Sequence, residues 1–331
     1  MRHSHEAAVA RRAARAAALL CEDVRREMVG HSLTKEDRSP VTVADFGAQA
    51  IVCRELAREF SRDSVVAEED SAALRAPENA AALASVTAYV GRQIEGASSK
   101  DVATWIDHGN GAVAARFWTL DPIDGTKGFV RGDQYAVALA LIEGGDLQVG
   151  VLACPYYPLD AAQSDGPRGL LFSAIRGEGA WVEPLAGAER QLGDGMRLSV
   201  VQEESSAFFR LVESVESRHG HHSLQETVAE AIGIRHEPMR MDSQAKYGAV
   251  ARGDAALYLR LPSPRTPDYR ENIWDHAAGA LIVEEAGGRV TDVRGQPLDF
   301  VSAPRMERNR GVVVSNSKIH SQVLKELNRW L

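Results

Sequence analysis

The sequence lacks paired cysteines, and this absence bears on the cellular compartment in which the protein is expected. Its three cysteines, Cys21, Cys53 and Cys154, are widely spaced and form no CxxC pair. An odd number of isolated thiols is typical of a reducing compartment, where cysteines behave as small buried hydrophobic residues. A cytoplasmic location is therefore expected.

An excess of basic residues and a long apolar run are also missing. The 331 residues include 38 basic and 46 acidic side chains, a net charge of −8, with no block of like charge. Nucleic acids and anionic membrane surfaces bind to a basic stripe, so neither is an expected partner. The apolar stretch near the middle, residues 136–142, is far shorter than the ~20 residues that span a bilayer, so a soluble protein is expected.

The N-terminal segment is rich in arginine and alanine, a composition that transit peptides share. Acidic residues such as Glu6 and Glu22 interrupt that composition, and apolar residues recur at spacings of three and four. Residues 6–29 are therefore expected to form an ordinary amphipathic helix. A second helix is predicted after Pro40, with Asp45 at its start.

Alternating apolar residues and glycines predict an antiparallel sheet in the first half of the chain. Two hairpins are expected, one turning at Gly144-Gly145 and one in the RGEG segment at 176–179. The glycine-rich piece at 184–195 is the best candidate boundary between a first domain, 1–190, and a second, 191–331. Short strands alternate with helical patterns beyond it, which predicts an α/β unit.

Carboxylates gather where predicted strands or turns end. Glu68 and Glu69 follow a strand, Asp121 and Asp124 lie in DPIDGT, and Asp275 begins a helix in WDHAAG. Each acid alone is more often an ordinary solvated residue. However, two carboxylates placed directly after the apolar FWTL need a cation. Hard oxygen ligands without paired His or Cys favour Mg²⁺ over zinc.

Gly125 and Thr126 follow the second of these aspartates. At a helix start they offer free backbone N–H groups to a phosphate, so a metal site and an anion site coincide. A protein of net charge −8 can then hold a polyanion, because bound divalent ions reverse the local potential.

Four segments, SPVTVAD, EED, DPIDGTKGF and WDHAAGALIVEEAGG, together resemble the signature of a phosphatase superfamily. This is the lithium-sensitive, Mg²⁺-dependent superfamily that contains inositol monophosphatase and fructose-1,6-bisphosphatase. The resemblance covers residues 39–288 and implies an α+β or α/β fold, layered as an α-β-α-β-α sandwich. DGTKGF, SVESRHGHH and MDSQAKYGAVARGDAALYLRLP are further similar to segments of the 3′(2′),5′-bisphosphate nucleotidases.

The resemblance implies a role for each matching residue. It assigns two or three Mg²⁺ ions to Glu68, Asp121, the Ile123 carbonyl, Asp124 and Asp275. Asp45 and Thr126 would position and deprotonate the attacking water. The implied substrate is adenosine 3′,5′-bisphosphate, cleaved to 5′-AMP and phosphate, with 3′-phosphoadenosine 5′-phosphosulfate as a second candidate. The implied nucleotide contacts are Gly125, Thr126, His219, Ser243, Lys246 and Arg260.

Several alternatives stay open at this point. An inositol monophosphatase or an inositol polyphosphate 1-phosphatase would use the same metal centre, and a non-catalytic nucleotide sensor would use the same scaffold. Any of His219, His221 and His222 could meet the nucleotide. The sequence fits a monomer or a homodimer.

Overall fold

Two long helices form the outermost layer of the molecule. The computed structural model describes residues 2–28, 39–160, 163, 166–187, 191, 193–203, 205–215, 222–263, 266 and 268–330. Helix α1 (Ser4–Met28) buries small residues such as Ala10 and Ala14, which let it pack closely on α2 (Ser39–Glu59). The helix predicted for 6–29 is thus confirmed as α1.

The predicted start of the second helix is wrong. Helix α2 begins at Ser39, so Asp45 lies in its second turn rather than at its start. Pro40 is compatible with this earlier start, because a proline in the first turn of a helix loses no hydrogen bond. Helices α3 (Ala80–Gly91) and α4 (Ser99–Asp107) pack against α2.

A seven-stranded sheet forms the second layer, with the strands side by side in chain order. All neighbouring pairs are antiparallel except the first, which is parallel. Gly144 and Gly145 have φ of 63° and 93° and close one of the two predicted hairpins, both of which are confirmed. The strands are β1 (Ser64–Ala67), β2 (Arg116–Asp124), β3 (Ala136–Glu143), β4 (Asp146–Pro158), β5 (Arg168–Ile175), β6 (Gly179–Pro184) and β7 (Met196–Arg197).

A third layer of helices separates this sheet from a second one. Helices α7 (Ala245–Arg252) and α8 (Ala277–Glu285) contact both sheets and bury nearly all of their residues. The second sheet has the order β11-β12-β10-β8-β9. Its strands are β8 (Leu211–Glu213), β9 (Met239–Arg240), β10 (Leu257–Arg260), β11 (Arg289–Thr291) and β12 (Val312–Ser315).

Helices α6 (His222–Ala231) and α9 (His320–Leu327) contact each other and share an apolar cluster with the second sheet. These two helices form the fifth layer. The α-β-α-β-α sandwich is therefore confirmed. The short helix α5 (Thr126–Arg131) follows β2 directly. Strand β7 lies beyond residue 190 and pairs with β6 of the first sheet, and the division into two domains at that residue stays a prediction. Within the described residues, no helix is long and apolar enough to cross a membrane.

Candidate active site

The end of β2, which carries Asp121 and Asp124, pairs irregularly with the neighbouring strand. The pairing of β2 with β3 shifts register between Asp121 and Asp124, where Pro122 cannot donate a hydrogen bond to the neighbouring strand. The Ile123 N–H donates to Asp121 Oδ1 at 3.1 Å instead. Gly125 then turns the chain into α5 with φ of 88°, a conformation that favours glycine.

Six carboxylates from four segments of the chain interact electrostatically near the end of β2. Asp121 is only 2% exposed. Burial and the charges of neighbouring acids, of which Glu68 is the strongest, raise the pKa of Asp121 well above its usual range. Burial, Glu69 and Glu68 do the same to the pKa of Asp45. The six are Asp45, Glu68, Glu69, Asp121, Asp124 and Asp275.

Glu68 belongs to this cluster although part of the residue is exposed to solvent. Its carboxyl shares a hydrogen bond with Asp121, and loss of surrounding water together with Glu69 and Asp124 raises its pKa. Desolvation and the charges of Glu69 and Asp124 act on this pKa in the same direction, because each disfavours the charged carboxylate. Repelling, partly desolvated carboxylates with only oxygen donors are the ligand chemistry that fits Mg²⁺.

Gln49 of α2 fixes the segment that carries two of these acids. Its Nε2 donates to the carbonyls of Glu69 at 2.6 Å and Ile106 at 2.9 Å, and its Oε1 accepts from Glu69 N at 3.0 Å. Sequence reasoning missed Gln49. Gly109 leaves room for this side chain, because an added Cβ at that position would lie 2.6 Å from Gln49 Nε2.

A cavity of about 320 Å³ adjoins the acidic cluster. Seven residues predicted to form the site line it, together with eight that sequence reasoning did not assign. The predicted ones are Asp124, Gly125, Thr126, Ser243, Lys246, Arg260 and Asp275. The others are Lys127, Ser214, Asp242, Gln244, Tyr247, Tyr258, Glu271 and His276.

Two cations lie in the wall of this cavity. Lys246 is 4% exposed, and its Nζ lies 3.4 Å from the Met241 carbonyl and 5.2 Å from the centre of the Tyr258 ring. Burial lowers the pKa of Lys246 to about 8, although Asp124 and Asp242 favour its charged form. Arg260 ends β10 and donates from Nε to Glu271 Oε1 at 3.0 Å.

Asp275 lies in a second compact group of potential ligands. The ligand atoms of Glu271, Asp275 and His276 all lie within 4.8 Å of one another, so the protein contains an acidic cluster able to hold a metal. Of the predicted ligands that the structure describes, only Asp275 belongs to this group. Glu271 is already paired with Arg260, and His276 Nδ1 lies 2.7 Å from the Tyr247 hydroxyl.

The other predicted residues differ in whether they line this cavity. Thr126 Oγ1 lies in its wall and donates to the Ile123 carbonyl at 3.4 Å, so these two predicted groups are neighbours. Glu68, Asp121 and Asp45 belong to the acidic cluster but are not among the residues that line the cavity. His219 and His221 lie outside the described residues, and His222 begins α6.

The sequence matches the model of the inositol monophosphatase family over residues 3–330. The chain belongs to this family. The resemblance seen in the motifs is thereby confirmed, and it extends over nearly the whole chain.

Within the inositol monophosphatase family, the chain is similar to proteins named 3′(2′),5′-bisphosphate nucleotidase. That of Emericella nidulans is 39% identical, with 100% of this chain and 99% of the relative covered. That of Oryza sativa is 42% identical, with 98% and 93% covered. That of Schizosaccharomyces pombe is 40% identical, with 95% and 92% covered.

Solved structures of the family share the fold. The inositol monophosphatase from Anabaena has a TM-score of 0.63 at 20% identity, with 99% of this chain and 97% of that chain covered. CysQ from Bacteroides thetaiotaomicron, a bacterial member of the family, has a TM-score of 0.63 at 20% identity, with 95% and 98% covered.

Proposed function

We propose that this protein is a Mg²⁺-dependent phosphatase that removes the 3′-phosphate of adenosine 3′,5′-bisphosphate and releases 5′-AMP. The observation that carries the proposal is that two acids of the acidic cluster, Asp124 and Asp275, line one cavity together with two cations, Lys246 and Arg260. A substrate with two phosphates needs a metal-bearing site for one and cationic side chains for the other. Relatives of about 40% identity with the nucleotidase name support this reading over an inositol phosphatase.

The residues at the acidic cluster fit a divalent metal. Besides burial, four carboxylates raise the pKa of Asp121, namely those of Glu68, Asp124, Asp275 and Asp45. Bound Mg²⁺ would supply Lewis acidity, which lowers the pKa of a water and offsets charge that develops on the phosphoryl group. The groups that would hold two or three ions are Glu68, Asp121, the Ile123 carbonyl, Asp124 and Asp275.

Side chains and backbone groups of the protein would then orient the attacking water, accept its proton and bind the substrate. Thr126, in the cavity wall, would orient the attacking water through its hydroxyl. Asp45 would accept the proton in the end, because burial and the charges of Glu69 and Glu68 raise the pKa of its carboxyl. Gly125 and Thr126 would hold the phosphate to be cleaved.

The second phosphate and the nucleoside would lie at the other end of the cavity. Lys246 and Arg260 would bind the 5′-phosphate, and Ser243 would hydrogen-bond the sugar or the base. His219 stays a prediction for a nucleotide contact. The cavity is lined by residues 124–127 and by eleven residues that lie between positions 214 and 276. This supports a site between the two predicted domains, 1–190 and 191–331. A cytoplasmic location and a monomeric or homodimeric state are part of the same proposal.

A phosphate-release assay on two substrates tests this function. Lys246→Ala should raise KM for adenosine 3′,5′-bisphosphate by ~10-fold or more, because a charge-assisted contact to the uncleaved phosphate is lost. Inositol 1-phosphate has no second phosphate, so its hydrolysis should change far less. Lys325→Ala, which removes an exposed lysine of α9, is the matched control. Equal effects of Lys246→Ala on both substrates would contradict the nucleotide site.

A further inference from the structure

Gln244 connects three segments that meet at the candidate site. The residue is 1% exposed and directly precedes α7. Its backbone N–H donates to Asp124 Oδ2 at 2.5 Å. Its side-chain Nε2 donates to the Trp274 carbonyl at 2.8 Å, and its Oε1 accepts from Gly279 N at 3.1 Å. One residue thus contacts the end of β2, the turn before α8 and α8 itself.

The segment around Gln244 has little freedom to move. Ser243 has φ of 66°, an uncommon conformation for a residue other than glycine, and this turn aims the next N–H at Asp124. Gly125 faces Ser243 so closely that an added Cβ would lie 2.9 Å from Ser243 Cβ. The loop that carries Asp124 and the loop that carries Gln244 are therefore in direct contact.

The primary amide of Gln244 makes both of its side-chain contacts. The Trp274 carbonyl needs a donor and the Gly279 N–H needs an acceptor, and a glutamine amide presents one of each from a single group. Trp274 precedes Asp275, which is itself held by Asn272, whose backbone N–H donates to Asp275 Oδ2 at 3.3 Å. The amide therefore ties the Asp275 turn to the residue that contacts Asp124.

We propose that Gln244 is a positioning residue that sets the separation of the Asp124 and Asp275 carboxylates and thereby determines how tightly a divalent cation is bound between them. This inference rests on the proposed metal-dependent function and adds a residue that supports the ligands without contacting substrate. The two carboxylates repel each other, so a tether at both sides keeps them close when no cation is bound.

Calorimetric titration of Mg²⁺ into the full-length protein tests this role without relying on turnover. Gln244→Met keeps the length of the side chain and removes both hydrogen-bonding ends. Its Mg²⁺ dissociation constant should be ~10- to 100-fold higher than that of the wild type, the usual effect of losing a group that supports metal ligands.

Gln225→Met is the matched control. Gln225 is 2% exposed on α6, in the outer helical layer, and its Oε1 has no hydrogen-bond partner among the described residues. Its replacement should leave Mg²⁺ affinity at the wild-type value. Mg²⁺ affinity of Gln244→Met equal to that of Gln225→Met would overturn the inference.

A shorter amide separates positioning from loss of stability. Gln244→Asn keeps the amide but cannot reach both Trp274 and Gly279, so its thermal unfolding without metal should remain cooperative while the Mg²⁺-induced rise in Tm becomes smaller. A wild-type Mg²⁺ response in Gln244→Asn would also overturn the inference. Failure of the wild type to hydrolyse the nucleotide would instead overturn the proposed function alone, because the calorimetric comparison does not depend on it.

Discussion

Asp121 is a buried acid surrounded by other acids, an arrangement that is unfavourable without a cation. Asp121→Asn keeps the size of the side chain and removes the charge. We expect Mg²⁺-dependent phosphate release to fall by at least ~100-fold, because an amide is a poor ligand for a hard cation. The measurement is the initial rate of phosphate release at saturating Mg²⁺.

Unfolding of the same variant provides the control for Asp121→Asn. In the absence of Mg²⁺ its Tm should equal or exceed that of the wild type, since one repelling charge has been removed from the cluster. Near-normal turnover by a folded Asp121→Asn protein would rule out the ligand role of Asp121.

Lys246 makes substrate affinity depend on pH. Its folded-state pKa of about 8 means that the side chain is a cation at neutral pH and loses its charge as pH rises through that value. KM for adenosine 3′,5′-bisphosphate should therefore rise above about pH 8, by up to ~10-fold per pH unit, as one proton is lost. KM measured from pH 6.5 to 9.5 at saturating Mg²⁺ gives the profile.

Lys246→Arg is the comparison for that profile, because a guanidinium stays charged over the whole range. Its KM should show no rise near pH 8, whatever its absolute value. Identical pH profiles for the wild type and Lys246→Arg would assign the transition to another group.

Individual residues differ in how far the sequence predicts them. Asp121 and Asp124 are predictable, because they are close in sequence and follow an apolar strand. Gln49 and Gln244 are not, since their partners lie far away along the chain and a single glutamine has no pattern that marks it as buried. The left-handed conformation of Ser243 is likewise set by contact with the loop around Gly125.

At the scale of elements, the close packing of α8 on α7 keeps the Asp275 turn beside the cavity. An added Cβ at Gly279 would lie 2.4 Å from the Tyr247 ring. Gly279→Ala should therefore force the two helices apart and lower the free energy of unfolding by about 1–3 kcal/mol. Urea denaturation measures this change.

Gly91→Ala provides a matched change in another helix. Gly91 lies at the end of α3, and apart from its chain neighbours and its own helix backbone no heavy atom of the described residues lies within 4 Å of an added Cβ. Its replacement should leave stability unchanged or raise it by up to ~1 kcal/mol, because alanine favours the helix. Equal effects of Gly279→Ala and Gly91→Ala would show that the α7–α8 contact does not limit stability.

Elements with a strong local pattern are predicted best. The two hairpins and α1 follow from glycine pairs and apolar spacing, and they are confirmed. The start of α2 is placed too late, because Pro40 is compatible with the first turn of a helix as well as with a preceding loop. Helix α7 is not assigned from sequence, since seven of its eight residues are buried and its apolar residues therefore show no helical spacing.

At the scale of the whole molecule, the five layers bring distant segments to one cavity. The first sheet supplies Asp124, the middle helices supply Lys246, and the turn before α8 supplies Asp275. A net charge of −8 does not prevent binding of a bisphosphate, because the acids assigned to the metal site are among those counted. The holo protein should therefore be less negative at this cavity than its composition suggests.

Identification of the nucleotide product bears most directly on the proposed reaction. Adenosine 3′,5′-bisphosphate is incubated with the wild-type protein and Mg²⁺, and the products are separated by chromatography. We expect 5′-AMP and inorganic phosphate in equal amounts, with neither formed in the presence of a chelator or by Asp121→Asn. Formation of 3′-AMP, or hydrolysis of inositol 1-phosphate while the bisphosphate stays intact, would contradict the proposed function.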